Sequence, residues 1–191
     1  MKIPSLRIFL GLLSFALAGG CAVAAAASVA PAPDALQTIA DRQLIRELLD
    51  RYGNVHDSGT PEQYADLFTD DGEIAVAAGA PPVVKGRTAL LAQARRDHER
   101  FSETLADGRQ TSIMRHLISN AEITVTAPEA ATGTCYVTTI VRKGDVGPAI
   151  LSLSRYTDRY VKQAGRWRIA RREITIEFGD ARLGRELGFT R

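Results

Sequence analysis

Cysteine is scarce in this chain: two residues, Cys21 and Cys135, in 191. Cys21 sits in an N-terminal segment that reads as removable, which leaves Cys135 with no intrachain partner. The fold must therefore stand on its hydrophobic core rather than on disulfides. Histidine is scarce too. His56, His98 and His116 are scattered without ligand spacing, so no metal site is expected. There is no glycine-rich phosphate loop, and no serine stands in a nucleophile-elbow context. A surplus of one charge sign is also missing. The net charge is +2, and Lys2 and Arg7 account for it; beyond them Lys+Arg and Asp+Glu balance at 22 each. No basic field remains to hold nucleic acid.

What is present fits an ordinary globular domain. Apolar residues make up 45% and charged residues 24%. The length suits one domain with a tail and allows a sizeable core. The N-terminus reads as a signal peptide over residues 1–27: Lys2 and Arg7, then the apolar run Ile8 to Ala18, then small residues with a cut near Ala27. The run is shorter than the roughly 20 residues a membrane span needs. Leu17-Ala18-Gly19-Gly20-Cys21 resembles a lipoprotein box with one residue too many. The expected location is periplasmic or secreted, the alternative a lipoprotein anchored through Cys21. Residues 28–34 read as a linker, 35–180 as the domain and 181–191 as a C-terminal tail.

Leu36, Ile39, Ala40, Leu44, Ile45, Leu48, Leu49, Tyr52 and Val55 follow helical spacing and predict a long first helix, with Asp34 as cap and Gln37 reaching back. Thr60-Pro61-Glu62-Gln63 is a second start signal, for a short helix carrying Tyr64, Leu67 and Phe68. Asp70-Asp71-Gly72 reads as a turn, Glu73–Ala77 as a short strand and Gly79-Ala80-Pro81-Pro82 as a loop. A third helix is expected over 87–104, with Leu90, Leu91, Ala94 and Phe101 inward and Asp107-Gly108 ending it. Strand-like segments follow: 112–126 with a bend at Asn120, 132–142, 150–161 and 167–178. Lys143-Gly144-Asp145 and Ala164-Gly165-Arg166 are the turns. Helices first and strands later predict a segregated α+β fold with an antiparallel meander.

Three stretches carry a family resemblance. The first runs from Ile45-Arg46-Glu47-Leu48-Leu49-Asp50-Arg51-Tyr52 through Asp57 to Tyr64-Ala65-Asp66-Leu67-Phe68-Thr69-Asp70-Asp71-Gly72. The second is Arg115-His116-Leu117-Ile118-Ser119-Asn120. The third is Arg155 to Val161 with Gly165 to Arg172. In order and spacing they resemble the SnoaL-like (NTF2-like) superfamily across residues 36–178. The resemblance implies a cone: three N-terminal helices packed on one curved antiparallel sheet around a pocket, often paired as a homodimer or higher homo-oligomer through the sheet's outer face. It leaves function open, because that fold hosts lyases, isomerases and non-catalytic binding modules.

The resemblance also selects residues. In its dehydratase and dehydrochlorinase branch, an aspartate after the first helix bonds a histidine on the long strand, and Asp57 and His116 occupy those positions. A neutral imidazole can remove a proton from carbon, while a carboxylate on its other nitrogen fixes the tautomer. Tyr52 stands where dehydratase relatives carry tyrosine and dehydrochlorinase relatives carry lysine, which points to an oxygen leaving group. Arg172 matches an arginine that faces the pocket in some relatives; its alternative role is a surface ion pair with Glu122 or Asp158. Strand alternation puts Arg172 with Arg168, Ala170 and Ile174, opposite Trp167, Ile169, Arg171 and Glu173. Asn120 and Tyr136 are further candidates for substrate contact. His56 and His98 read as solvent-facing, and Cys135 as buried and inert. The expected function is a cofactor-independent lyase of dehydratase type, or an isomerase, acting on a hydrophobic small molecule. The alternative is a ligand-binding or dimeric accessory module of the same fold.

Overall fold

The computed structural model describes residues 34–142 and 147–188. The expected leader, the linker through residue 33 and the Lys143-Gly144-Asp145 turn lie outside the described residues.

Helix α1 spans Ala35–Ser58. Its buried positions are Asp41, Ile45, Leu48, Leu49, Tyr52, Gly53 and Asp57, one stripe at helical spacing. Leu36, Ile39 and Leu44, expected on the inner face, are exposed. Burial starts only at Asp41, so among the described residues the first turns find little to pack against. The expected cap is also different. The Asp34 side chain makes no capping bond; its carbonyl instead accepts the backbone N–H and the hydroxyl of Thr38, at 2.9 and 3.0 Å. The first buried residue is itself polar. Asp41 Oδ1 accepts Lys162 Nζ at 2.7 Å and Trp167 Nε1 at 2.8 Å, which ties α1 to the last two long strands.

Helix α2, Pro61–Ala65, has the capping box that Thr60 and Gln63 predict, with both reciprocal bonds formed. Phe68 does not belong to it. Phe68 opens strand β1, Phe68–Ala75, and the expected Asp70-Asp71-Gly72 turn is an irregularity within that strand. Strand β2, Val84–Lys85, pairs back on β1. Helix α3, Arg87–Arg100, buries Leu90 and Ala94 and stops four residues earlier than expected. Ser102–Thr104 (β3) instead pairs with Gln110–Ser112 (β4) about the Asp107-Gly108 turn, as a separate two-stranded sheet.

The long strands are β5 (Met114–Ala127), β6 (Ala130–Arg142), β7 (Pro148–Gln163) and β8 (Arg166–Gly179). The six-stranded sheet has the order β2-β1-β8-β7-β6-β5. All its pairs are antiparallel except β1 with β8, which is parallel. That parallel pair departs from the expected antiparallel meander, and β1 begins five residues before the short strand expected at Glu73–Ala77. Interruptions in register bend the sheet. One is at Asn120, with φ of 52°, where the sequence predicted a bend. Another is in β8: Arg171 pairs with Arg159 and Ile169 with Tyr160, so Ala170 is extra. That insertion reverses the alternation. Arg172 is buried on the side of Trp167 and Ile169, not opposite them.

A fourth helix, α4 (Ala181–Glu186), follows β8, so the described residues hold four helices rather than the three expected. The Asp180 carboxylate caps it through Leu183 N–H at 2.9 Å, and Leu183 packs with Phe101, Met114, Val141 and Leu151. Among the described residues no helix is long and apolar enough to cross a membrane.

Candidate active site

Asp57 lies in the last turn of α1, not after it, and α1 crosses β5 at very close range. A Cβ built on Gly53 would stand 2.9 Å from the carbonyl oxygen of His116. This approach brings the two side chains together. Asp57 Oδ1 lies 2.6 Å from His116 Nδ1, and Asp57 Oδ2 accepts the His116 backbone N–H at 2.8 Å. One carboxylate thus holds both the ring and the strand that carries it. Gly53→Ala is expected to destabilise by about 1–3 kcal/mol, through overpacking, and to weaken the Asp57–His116 contact. In an open helix position the same change stabilises by about 1 kcal/mol, so the sign of the shift in urea midpoint checks the close approach.

The electrostatics follow from burial and these bonds. Burial opposes charge on Asp57, but the hydrogen bonds from His116 and the nearby His56 ring outweigh it and hold the carboxyl well below its usual range. His116 is shifted the other way, below its ordinary 6.5, by burial and by the nearby charge of His56, with Asp57 opposing. An ionised Asp57 beside a neutral His116 puts the ring proton on Nδ1 and leaves Nε2 as the basic nitrogen.

His116 and Tyr52 line a cavity of about 610 Å³, together with Tyr64, Tyr156, Ile74 and Ile174. Thr139, Ser152 and Ser154 add hydroxyls to the wall, and the exposed Val76, Val83 and Ile176 also line it. An apolar chamber with a few convergent polar groups is the usual form of a small-molecule site.

The other candidates lie elsewhere. Arg172 is fully buried but does not line the cavity. It makes two bonds to Asp158, at 2.9 and 2.6 Å, and Tyr160 donates to the same carboxylate at 2.7 Å. Its guanidinium lies 4.0 Å from the ring centre of Tyr52 and 4.5 Å from that of Tyr156, so it backs the tyrosines that do face the chamber. The ion pair with Asp158 is therefore an interior one. Asn120 is exposed at the β5 bend. Tyr136 accepts a bond from Arg155, whose guanidinium stacks on its ring. Neither lines the cavity. Cys135 is buried, and burial pushes its thiol up to about 12, which leaves it unreactive.

His56, which read as solvent-facing, belongs to the site, and so does Asp97, which the sequence did not single out. His56, with a side chain only 13% exposed, and Asp97 both line the cavity, with Nε2 of His56 3.5 Å from Oδ2 of Asp97. The signal was periodicity. His56 stands four residues after Tyr52, and Asp97 stands between Ala94 and Phe101 on the α3 stripe. Their charged neighbours masked it. His98 is half-buried as well, with Nε2 3.0 Å from the carbonyl of His56. Burial works against charge on His56, yet the oxygens of Tyr52, Asp57 and Asp97 outweigh it and raise the ring from 6.5 to about 10. A folded value above the unfolded one adds stability that is complete below the unfolded value and is lost as pH rises through the folded one. The wild type is expected to lose stability relative to His56→Gln between pH 6.5 and about 10, read from urea midpoints across that window.

His56, Asp57 and His116 place one possible metal-ligand atom each within 4.8 Å of one another. The 2.6 Å between Nδ1 and Oδ1 is a hydrogen-bond separation. Two ligands of one ion, each about 2.0 Å from it in tetrahedral array, stand farther apart than that. The donor set fits proton transfer better than coordination.

The comparisons agree with this architecture. The SnoaL-like domain profile matches residues 37–173, and the chain belongs to that family, within the NTF2-like superfamily. No curated protein matches. Among solved structures, an NTF2-like protein with a cystatin-like fold from Novosphingobium aromaticivorans is 30% identical. The match covers 80% of this chain and 92% of that one, with a TM-score of 0.61. A singly substituted form of Rv3472, a protein of unknown function from Mycobacterium tuberculosis, is 27% identical over 76% of each chain, with a TM-score of 0.64. A candidate scytalone dehydratase from Novosphingobium aromaticivorans is 24% identical over 75% of this chain and 89% of that one, with a TM-score of 0.61; it shares the fold.

Proposed function

We propose that the protein is a cofactor-independent lyase of dehydratase type, or an isomerase, that acts on a hydrophobic small molecule. The observation that carries this reading is the 2.6 Å contact between Asp57 and His116 in the wall of a largely apolar chamber. His116 Nε2 removes a proton from carbon next to an activating group. Asp57 holds the tautomer and stabilises the imidazolium that forms. Tyr52 hydrogen-bonds the departing oxygen. The name of the candidate scytalone dehydratase supports a hydroxyl leaving group. The test is a screen of hydroxylated cyclic ketones and polyketide-like compounds against wild type and His116→Ala. Turnover by wild type alone supports the reading; equal turnover by both removes His116 from the mechanism.

Export and homodimerisation belong to the same proposal. Export is supported by the sequence of residues 1–27. Pairing is supported by a row across the sheet, Leu117, Thr138, Leu153 and Phe178 in register, that is apolar except for Thr138 and in which Leu117 and Phe178 are exposed.

A further inference from the structure

The mechanism above uses one histidine, and the chamber wall holds two. The ring centres of His56 and His116 are 4.4 Å apart, edge to face. His56 lies between two carboxylates: Nε2 is 3.5 Å from Asp97 Oδ2, and Nδ1 is 3.9 Å from Asp57 Oδ1. Asp97 Oδ2 is steadied by Gln93 Nε2 at 2.6 Å. The His56 backbone is steadied through its carbonyl by His98. Both ring distances exceed the roughly 2.7–3.2 Å of a settled N–H···O bond. The carboxylates therefore keep His56 charged without consuming its N–H groups, and the ring borders the same space as His116.

We propose that His56 is a second catalytic residue, the acid that delivers a proton to the departing oxygen while His116 takes one from carbon. This rests on the lyase reading of the site. In the step, the C–H electron pair becomes the new C=C bond and its proton goes to His116 Nε2. The C–O pair leaves with oxygen, which takes a proton from His56 and departs as water. No outside acid, base or oxidant is needed. The cluster of Asp57, Asp97, His56 and His116 carries the same net charge before and after, because the positive charge only moves from one ring to the other. A proton passed back between the adjacent rings restores the starting state. Tyr52, with its ring centre 5.6 Å from that of His56, then orients the oxygen rather than supplying the proton. The other groups facing His56 are Tyr64 of α2, Asp97 and His98 of α3 and His116 of β5, with Arg172 of β8 behind Tyr52.

The test uses full-length protein and three benzisoxazoles: unsubstituted, 5-nitro and 5,7-dinitro. Loss of the ring C–H proton to a base breaks the N–O bond and releases a coloured cyanophenolate, whose basicity falls along the series. His116→Ala is expected to slow all three by a similar factor. His56→Gln is expected to slow the unsubstituted compound on the order of 100-fold and to leave the dinitro compound nearly unchanged, because a good leaving group needs no acid. Asp97→Asn should show the same pattern more weakly, and it guards against misfolding of the His56 variant. An equal loss on all three compounds in His56→Gln would reduce His56 to a structural role and overturn the proposal. If His116→Ala keeps wild-type rates, the base assignment fails, whatever His56 does. A wild type no faster than buffer overturns both. Nitrogen NMR of the unliganded protein at pH 8 adds an independent check: a singly protonated His56 ring contradicts the proposal.

Discussion

His116→Ala is expected to lower turnover by about 10²–10⁴, the usual contribution of a positioned base. The fold should survive, because His116 lines an open chamber rather than a packed core. Asp57→Asn tests the same unit from the other side. The amide keeps the shape but loses the charge, and its NH₂ group can donate to Nδ1. That bond would favour the tautomer with the proton on Nε2, where the base must be free. A loss approaching that of His116→Ala is expected, and the double variant should be little worse than either single one, since residues acting as a unit are not additive. Steady-state kinetics of the three variants on one substrate check this. Additive losses would separate Asp57 from the base.

The second large effect concerns stability. Arg172 is 0% exposed and makes two bonds to Asp158. Burial discourages its charge, but Asp158 outweighs that and holds the guanidinium firmly protonated. Arg172→Met leaves the Asp158 carboxylate buried without a counter-charge, which costs about 3–5 kcal/mol. The stacking of the cation on Tyr52 and Tyr156 is lost as well. A fall in melting temperature of roughly 10 °C is expected for a chain of this size. Removing both partners, as Arg172→Met with Asp158→Leu, should recover part of the loss, because no charge is then stranded. If the double variant is less stable than Arg172→Met alone, the ion pair is not what makes the single substitution costly.

The parts of the fold that could be read in advance are those set by local chemistry. Thr60, Pro61 and Gln63 specify their capping box within four residues. The alternating segments specify the meander, and Asn120 marks its bend with a left-handed backbone. The parts that were missed depend on distant contacts or on a single inserted residue. Ala170 looks like any strand residue, yet as the extra one it turns Arg172 from the expected face to the interior. Nothing near Asp41 in the sequence marks it as buried; Lys162 and Trp167 converge on it from strands more than a hundred residues away. Asp57 and His116 are separated by 59 positions, and only the resemblance named them. His56 and Asp97 fall on helical stripes, but the charged run Arg95-Arg96-Asp97-His98-Glu99-Arg100 hid Asp97, and the polar neighbours of His56 hid it.

Histidine nitrogen NMR of the unliganded protein near pH 7 addresses the pair most directly. The predicted result is a neutral His116 ring with the proton on Nδ1 and a bare Nε2, and loss of that preference in Asp57→Asn. A ring protonated on Nε2 alone, or one indifferent to the aspartate, would contradict it.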